Sequence, residues 1–174
     1  MNRILKTAFF ALLLFVLPSL ALADAPVLLA QLPESAQMVE NVEFEGGDFI
    51  QTYQLEDGAT VQLLRYTGFA MTMDELIASD WPVNSGVEMQ AMTEISGFPA
   101  QHAHILQAYD ESGYPVKADG GPGGVMAIDL VLVNVDDTTL ILQCIDKDGA
   151  GTGDAFKALL NSLQVLGGEN AEVG

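Results

Sequence analysis

The sequence predicts an α+β fold, a single antiparallel sheet built from hairpins and packed by two helices. Three observations lead there. Apolar and polar residues alternate on both sides of Asp57-Gly58, and a second, more apolar pair of segments flanks Asp136-Asp137. The period changes to that of a helix in two stretches, near 73–81 and 154–166. The strand-like segments outnumber the helical ones and arrive in consecutive hairpins.

Taken in order, residues 24–39 contain Pro26 and Pro33, show no clean period, and are assigned as a lead-in. "VEFEGG" alternates and reads as a short first strand. In "DFIQTYQLEDGATVQLLRY", Phe49, Tyr53 and Leu55 alternate before the Asp-Gly turn, and Val61 and Leu63 alternate after it. "MTMDELIASDW" places Met73, Leu76 and Ile77 on one helical stripe behind Thr72, a suitable N-cap. "GVEMQAMTEI" returns to alternation, and Gly97-Phe98-Pro99 turns the chain into "AQHAHILQA". A four-residue loop there sets Ile95 against Ala100, Thr93 against His102 and Ala91 against His104. Residues 110–124 are rich in turn formers and read as an exposed loop. "VMAIDLVLVNV" and "TTLILQCI" form the central hairpin. Phe156, Leu159, Leu160, Leu163 and Leu166 recur at helical spacing, ending at Gly167-Gly168.

The N-terminus predicts export. Arg3 and Lys6 precede an apolar run from Ala8 to Leu17, Pro18 breaks it, and Ala21-Leu22-Ala23 supplies a small-residue cleavage signal. The run is short for a bilayer span, so no permanent membrane anchor is expected. The boundaries are therefore 1–23 signal peptide, 24–39 lead-in, 40–168 a single α+β domain and 169–174 tail. Of 174 residues, 151 remain after cleavage, with four of the six basic residues and all 24 acidic ones, a formal charge of −20. Such a surface repels nucleic acid and anionic lipid and attracts basic partners. Cys144, the lone cysteine, follows Leu140 and Leu142 at even spacing and reads as a buried thiol.

Three stretches invite chemistry. His102 and His104 share one face of a strand, the spacing of a two-ligand metal site. In the four-residue-loop register they lie on the apolar face as structural residues. A one-residue slip brings them to Glu94, Met92 or Gln90, a mixed site for a soft or borderline metal. In "DKDGAGTGDAFK", Asp146, Asp148, Gly151 and Asp154 fall at calcium-loop positions, but Ala150 and Lys157 occupy two positions that need oxygen ligands. A strand-to-helix turn explains the same residues. "GGPGG" lacks the Lys-Ser/Thr of a phosphate loop, and Trp81-Pro82 reads as a buried anchor. No residue is assigned as catalytic, cofactor-binding or metal-ligating.

The order of these elements, with Gly97-Phe98-Pro99-Ala100 opening a strand and Ser162-Leu163 closing the last helix, resembles the PsbP-like fold over about residues 40–166. Small periplasmic proteins of the DcrB type are similar in character. Photosystem accessory proteins, a GTPase-release factor, envelope proteins and secretion chaperones share that fold, so the resemblance implies binding or accessory work rather than a reaction. The expected function is that of a non-catalytic periplasmic or secreted accessory protein that contacts a protein partner. The alternative is a small metal-binding protein using His102, His104 and nearby methionines.

Intact-mass analysis of exported material is expected to show a chain beginning at Asp24. Retention of Met1 overturns the cleavage assignment.

Overall fold

The computed structural model describes residues 25–84, 86–92, 94–116, 123–146 and 154–167. At its centre lies an antiparallel pair that the apolar runs anticipate. Strand β9 (Gly124–Val135) and strand β10 (Thr138–Asp146) pair from Thr138↔Val135 to Asp146↔Ala127, around a two-residue turn at Asp136-Asp137. From Ala127 to Val133 and from Thr138 to Cys144 both strands are buried on every side chain. Alternate residues therefore need cover on both faces of the sheet.

The remaining strands extend the pair outward. On one side lie β4 (Thr60–Thr67), β3 (Phe49–Gln54) and β2 (Gln37–Glu43). On the other lie β7 (Phe98–Tyr109) and then β5 (Gly86–Gln90), with β6 (Glu94–Ile95) and β8 (Pro115–Val116) pairing with β7 along the same edge. The main sheet has nine strands among the described residues. Its element order agrees with the sequence reading in outline, but the first strand of the sheet, β2, starts at Gln37, inside the segment assigned as lead-in, and ends at Glu43, so that Glu45–Gly47, expected to extend it, form a 3-10 turn instead.

Helix α1 (Met73–Asp80) covers one face, its Met73, Leu76 and Ile77 packing with Ala103, Ile105, Ile128, Leu130 and Ile141. The chain entering α1 is fastened to the β9–β10 turn. Thr139 Oγ1 accepts from Met71 N at 2.9 Å, and Asn134 Nδ2 donates to Met71 O at 2.9 Å. Thr72 then caps the helix in a reciprocal box with Glu75. Helix α2 (Asp154–Ser162) covers the other face, with Phe156 and Leu159 against Val131, Val133, Leu142 and Cys144.

Two expectations need correction. The sheet is not single, because β1 (Val27–Leu29) and β11 (Gln164–Leu166) form a second, two-stranded sheet in the α2 layer. And the last helix stops at Ser162 instead of running to Leu166. Ser162 Oγ donates to Leu159 O at 2.7 Å and accepts from Gln31 N at 2.9 Å, so the hydroxyl turns the helix end toward the N-terminal segment. Leu163 and Val165 then alternate into the core as a strand does, while Leu166 stays exposed. Three-residue strands are too short to show a period, which is why helical spacing captured them.

Replacing Thr72 with Ala is expected to cost about 1 kcal/mol through loss of the cap. Hydrogen bonds from the Thr72 main chain, and then its hydroxyl, hold the Glu75 carboxyl below its ordinary value. A depressed folded value means the box stabilises the helix above the ordinary carboxylate range and loses that share as pH falls through the folded value. Urea melts of wild type and Thr72→Ala are therefore expected to differ most at neutral pH, with the difference narrowing as the Glu75 carboxylate is protonated in acid.

Candidate functional site

The two histidines are brought to a buried carboxylate that the sequence reading did not single out. His102 and His104 project from β7 toward the α2 face, where β9 supplies Asp129 directly opposite His104. His102 Nε2 lies 2.9 Å from Asp129 Oδ1, and His104 Nδ1 lies 3.1 Å from the same oxygen. An ionised carboxylate only accepts, so with Asp129 ionised both of those ring nitrogens would carry the proton. Asp129 has 4% of its side chain exposed, against 11% for His102 and 25% for His104. The His102 ring also meets Phe156 of α2, centroid to centroid at 5.8 Å.

The register explains the placement and corrects the expected one. Ser96 and Gly97, with φ of 54° and 84°, make a two-residue turn that sets Ile95 against Phe98 and Glu94 against Pro99. Compared with a four-residue loop, that shifts the pairing by two residues and leaves the faces unchanged. Between Glu94↔Pro99 and Gln90↔His102 the register changes by one residue, which exchanges the faces. Gln90 thus lies opposite His102 and Glu88 opposite His104. Thr93, the expected partner of His102, is outside the described residues.

Cys144 completes the row Glu88, His104, Asp129, Cys144 across β5, β7, β9 and β10. Burial pushes its thiol up to about 12, with the negative charges of Asp129, Asp57 and Asp146 adding to the effect. The cysteine faces a carboxylate rather than a base, so no activated thiolate forms here.

The methionines do not gather around the histidines. Met89 lies opposite Ala103 on the α1 face, and Met71, Met73 and Met126 pack in the α1-side core. Met92 alone of these packs on the α2 side. One nitrogen of each ring, His102 Nε2 and His104 Nδ1, meets Oδ1, and among the described residues no group of three or more His, Cys, Asp or Glu side chains is arranged to hold a metal ion. Of the calcium-like stretch, Asp146 ends β10 and residue 154 opens α2, and the residues between lie outside the described ones. So do residues 120–122 of the glycine-rich stretch. Trp81 packs at the margin of the α1-side core, and its Nε1 has no hydrogen-bond partner among the described residues.

A second polar row crosses the opposite face. Gln143 Nε2 donates to Gln62 Oε1 at 2.9 Å, Gln62 Nε2 to Thr52 Oγ1 at 3.2 Å, and Thr52 Oγ1 to Glu40 Oε2 at 3.3 Å. Among the described residues the one large cation of the core, Arg65, lies on the α2 face, fully buried above the Phe49 ring. It donates to Gly47 O and to Pro26 O, and burial pushes its pKa down while Asp48 and Glu43 oppose that shift.

Among the described residues no strand pairs beyond β5, the outer strand next to the histidine strand. Val87 and Met89 of β5 are 42% and 53% exposed, on the α1 face beside Ala103 and Ile105, and Glu88 is exposed on the other face. Tyr114, also exposed, precedes β8 farther along that edge. Among the described residues no helix is long and apolar enough to cross a membrane.

No protein-family model matches the chain, and no curated protein matches it. Among solved structures the chain is similar to LpqN, described as involved in cell envelope biogenesis of Mycobacterium tuberculosis. The identity is 12% and the TM-score 0.45, over 82% of this chain and 85% of that one.

Cys144 is expected to resist alkylation in the native state at about pH 8 and to react at once in denaturant, because its thiolate is suppressed until far higher pH. Thiol titration with and without urea measures this, and rapid native labelling contradicts the buried placement.

Proposed function

We propose that this is a non-catalytic, exported accessory protein that holds a protein partner at an open sheet edge. The observation that carries the proposal is β5, an outermost strand with Val87 and Met89 exposed side by side. Such an edge presents unpaired main-chain groups, and an extended segment adds to it by strand pairing while its side chains meet the apolar pair. The opposite edge is less suited. Strand β2 carries an irregularity between Met38 and Glu40, and Glu40 and Glu43 line it, both features that discourage pairing.

The non-catalytic part of the proposal draws on the histidine row. Both imidazoles are engaged by Asp129, and the thiol in the same row is held protonated. Export draws on the N-terminal signal, and the accessory role is also what the PsbP-like resemblance implies.

Photo-crosslinking residues placed at Val87 or Met89 are expected to trap one predominant protein in the exporting cell, whereas Val39 and Phe44 on the far edge are not. Equal trapping at both edges, or none at Val87 and Met89, overturns the proposal.

A further inference from the structure

Resting on the β5 reading above, we infer that the partner segment is an extended strand whose side chains alternate between apolar and basic. The alternation of β5 itself dictates the pattern. A strand paired beyond it places every second residue on the face of Val87 and Met89 and the others on the face of Glu88 and Gln90. The first set meets two exposed apolar side chains. The second meets the exposed Glu88, whose cross-strand neighbour His104 is itself turned to Asp129, on an edge whose described residues in β5, β6, β8 and the turn at 110–114 include no Lys or Arg. Asp110 is occupied in its own turn, where Oδ1 accepts from Ser112 N and Tyr114 N at 2.9 Å each, so Glu88 is the carboxylate that β5 presents on this face.

Charge also separates this occupant from a second copy of the chain. The formal charge is −18 for the whole sequence, and Arg65, one of four basic residues beyond position 23, is fully buried. Two β5 edges brought together oppose acidic surfaces, and like charges facing across a strand pair are unfavourable. The edge is also short. Five residues of β5 offer far less than the roughly 800 Å² per partner of a standard rigid interface, so a flexible segment suits it better than a second folded surface.

The test uses a fluorescent, N-acetylated peptide of sequence Lys-Val-Lys-Val-Lys-Val-Lys against the full mature protein. Two controls accompany it: Glu-Val-Glu-Val-Glu-Val-Glu, and a peptide of the first composition with its lysines and valines in separate blocks. The alternating basic peptide is expected to bind, to slow amide exchange at residues 86–90, and to weaken several-fold between about 50 and about 300 mM salt. The acidic peptide should not bind, and the blocked one should bind more weakly. Glu88→Lys and Met89→Lys, both at exposed positions, are each expected to weaken the alternating peptide about tenfold without changing the melting temperature. Equal binding of the alternating and blocked peptides, or indifference to both substitutions, overturns the inference by reducing it to general attraction to an acidic surface. Crosslinking at Met89 combined with failure of the basic peptide overturns the inference alone and leaves the β5 edge standing. Failure of both removes the edge as well.

Discussion

The architecture depends on two neighbouring strands that have no polar side. Because β9 and β10 are buried on both faces, neither half of the molecule can be left as a one-sided sheet. Exposing Leu130, Leu132 and Ile141, or Val131, Val133 and Leu142, forfeits on the order of 1.5–3 kcal/mol per side chain. Helix α1 answers on one face, and α2 with the β1–β11 pair answers on the other. Each cover is short, so its attachment matters: Thr139 and Asn134 hold the approach to α1, and Ser162 holds the exit from α2. The polar groups of the central hairpin are thus the fasteners of the layers that its apolar groups require.

Within the α2-side layer Asp129 and Arg65 sit among aliphatic side chains, and each is handled differently. Asp129 is given two imidazole nitrogens at hydrogen-bonding distance. Arg65 is given main-chain carbonyls and an aromatic face, with Nε lacking a partner among the described residues. Burying a charge without such partners costs several kcal/mol. The arrangement accounts for a His-x-His strand without asking it to carry chemistry. The rings turn to a neighbour strand, and their spacing of two puts both within reach of one carboxylate.

Much of this was legible in the sequence because the long elements have long patterns. The hairpins at 49–67 and 124–146, the Thr72 cap, the first helix and the inward-facing Cys144 all follow from period and punctuation. Asp129 was legible too, as a lone carboxylate at an inward position of "VMAIDLVLVNV", but the apolar run drew attention away from it. The histidine register was harder. It depends on whether Ser96 adopts a positive φ and on a one-residue change of register between Gln90 and Glu94, and neither leaves a signature in composition. A face exchange follows from a single residue, so a small local uncertainty changes which side chains meet. The strands at 27–29 and 164–166 are shorter than any period, and their pairing joins residues more than a hundred positions apart.

That last pairing has a mechanical side. Val27 stands opposite Leu166 and Leu29 opposite Gln164, so the chain enters and leaves the fold at the same end of the small ladder. Pulling residues 25 and 167 apart therefore loads the rungs one after another and unzips the pair, instead of shearing all of them together. At Gly167 the two segments run so close that an added Cβ would stand 2.9 Å from Ala25 O. Tension on the ends peels β11 from β1 first, and only once that small ladder has opened does the load pass through α2 to β10 on one side and to β2 on the other.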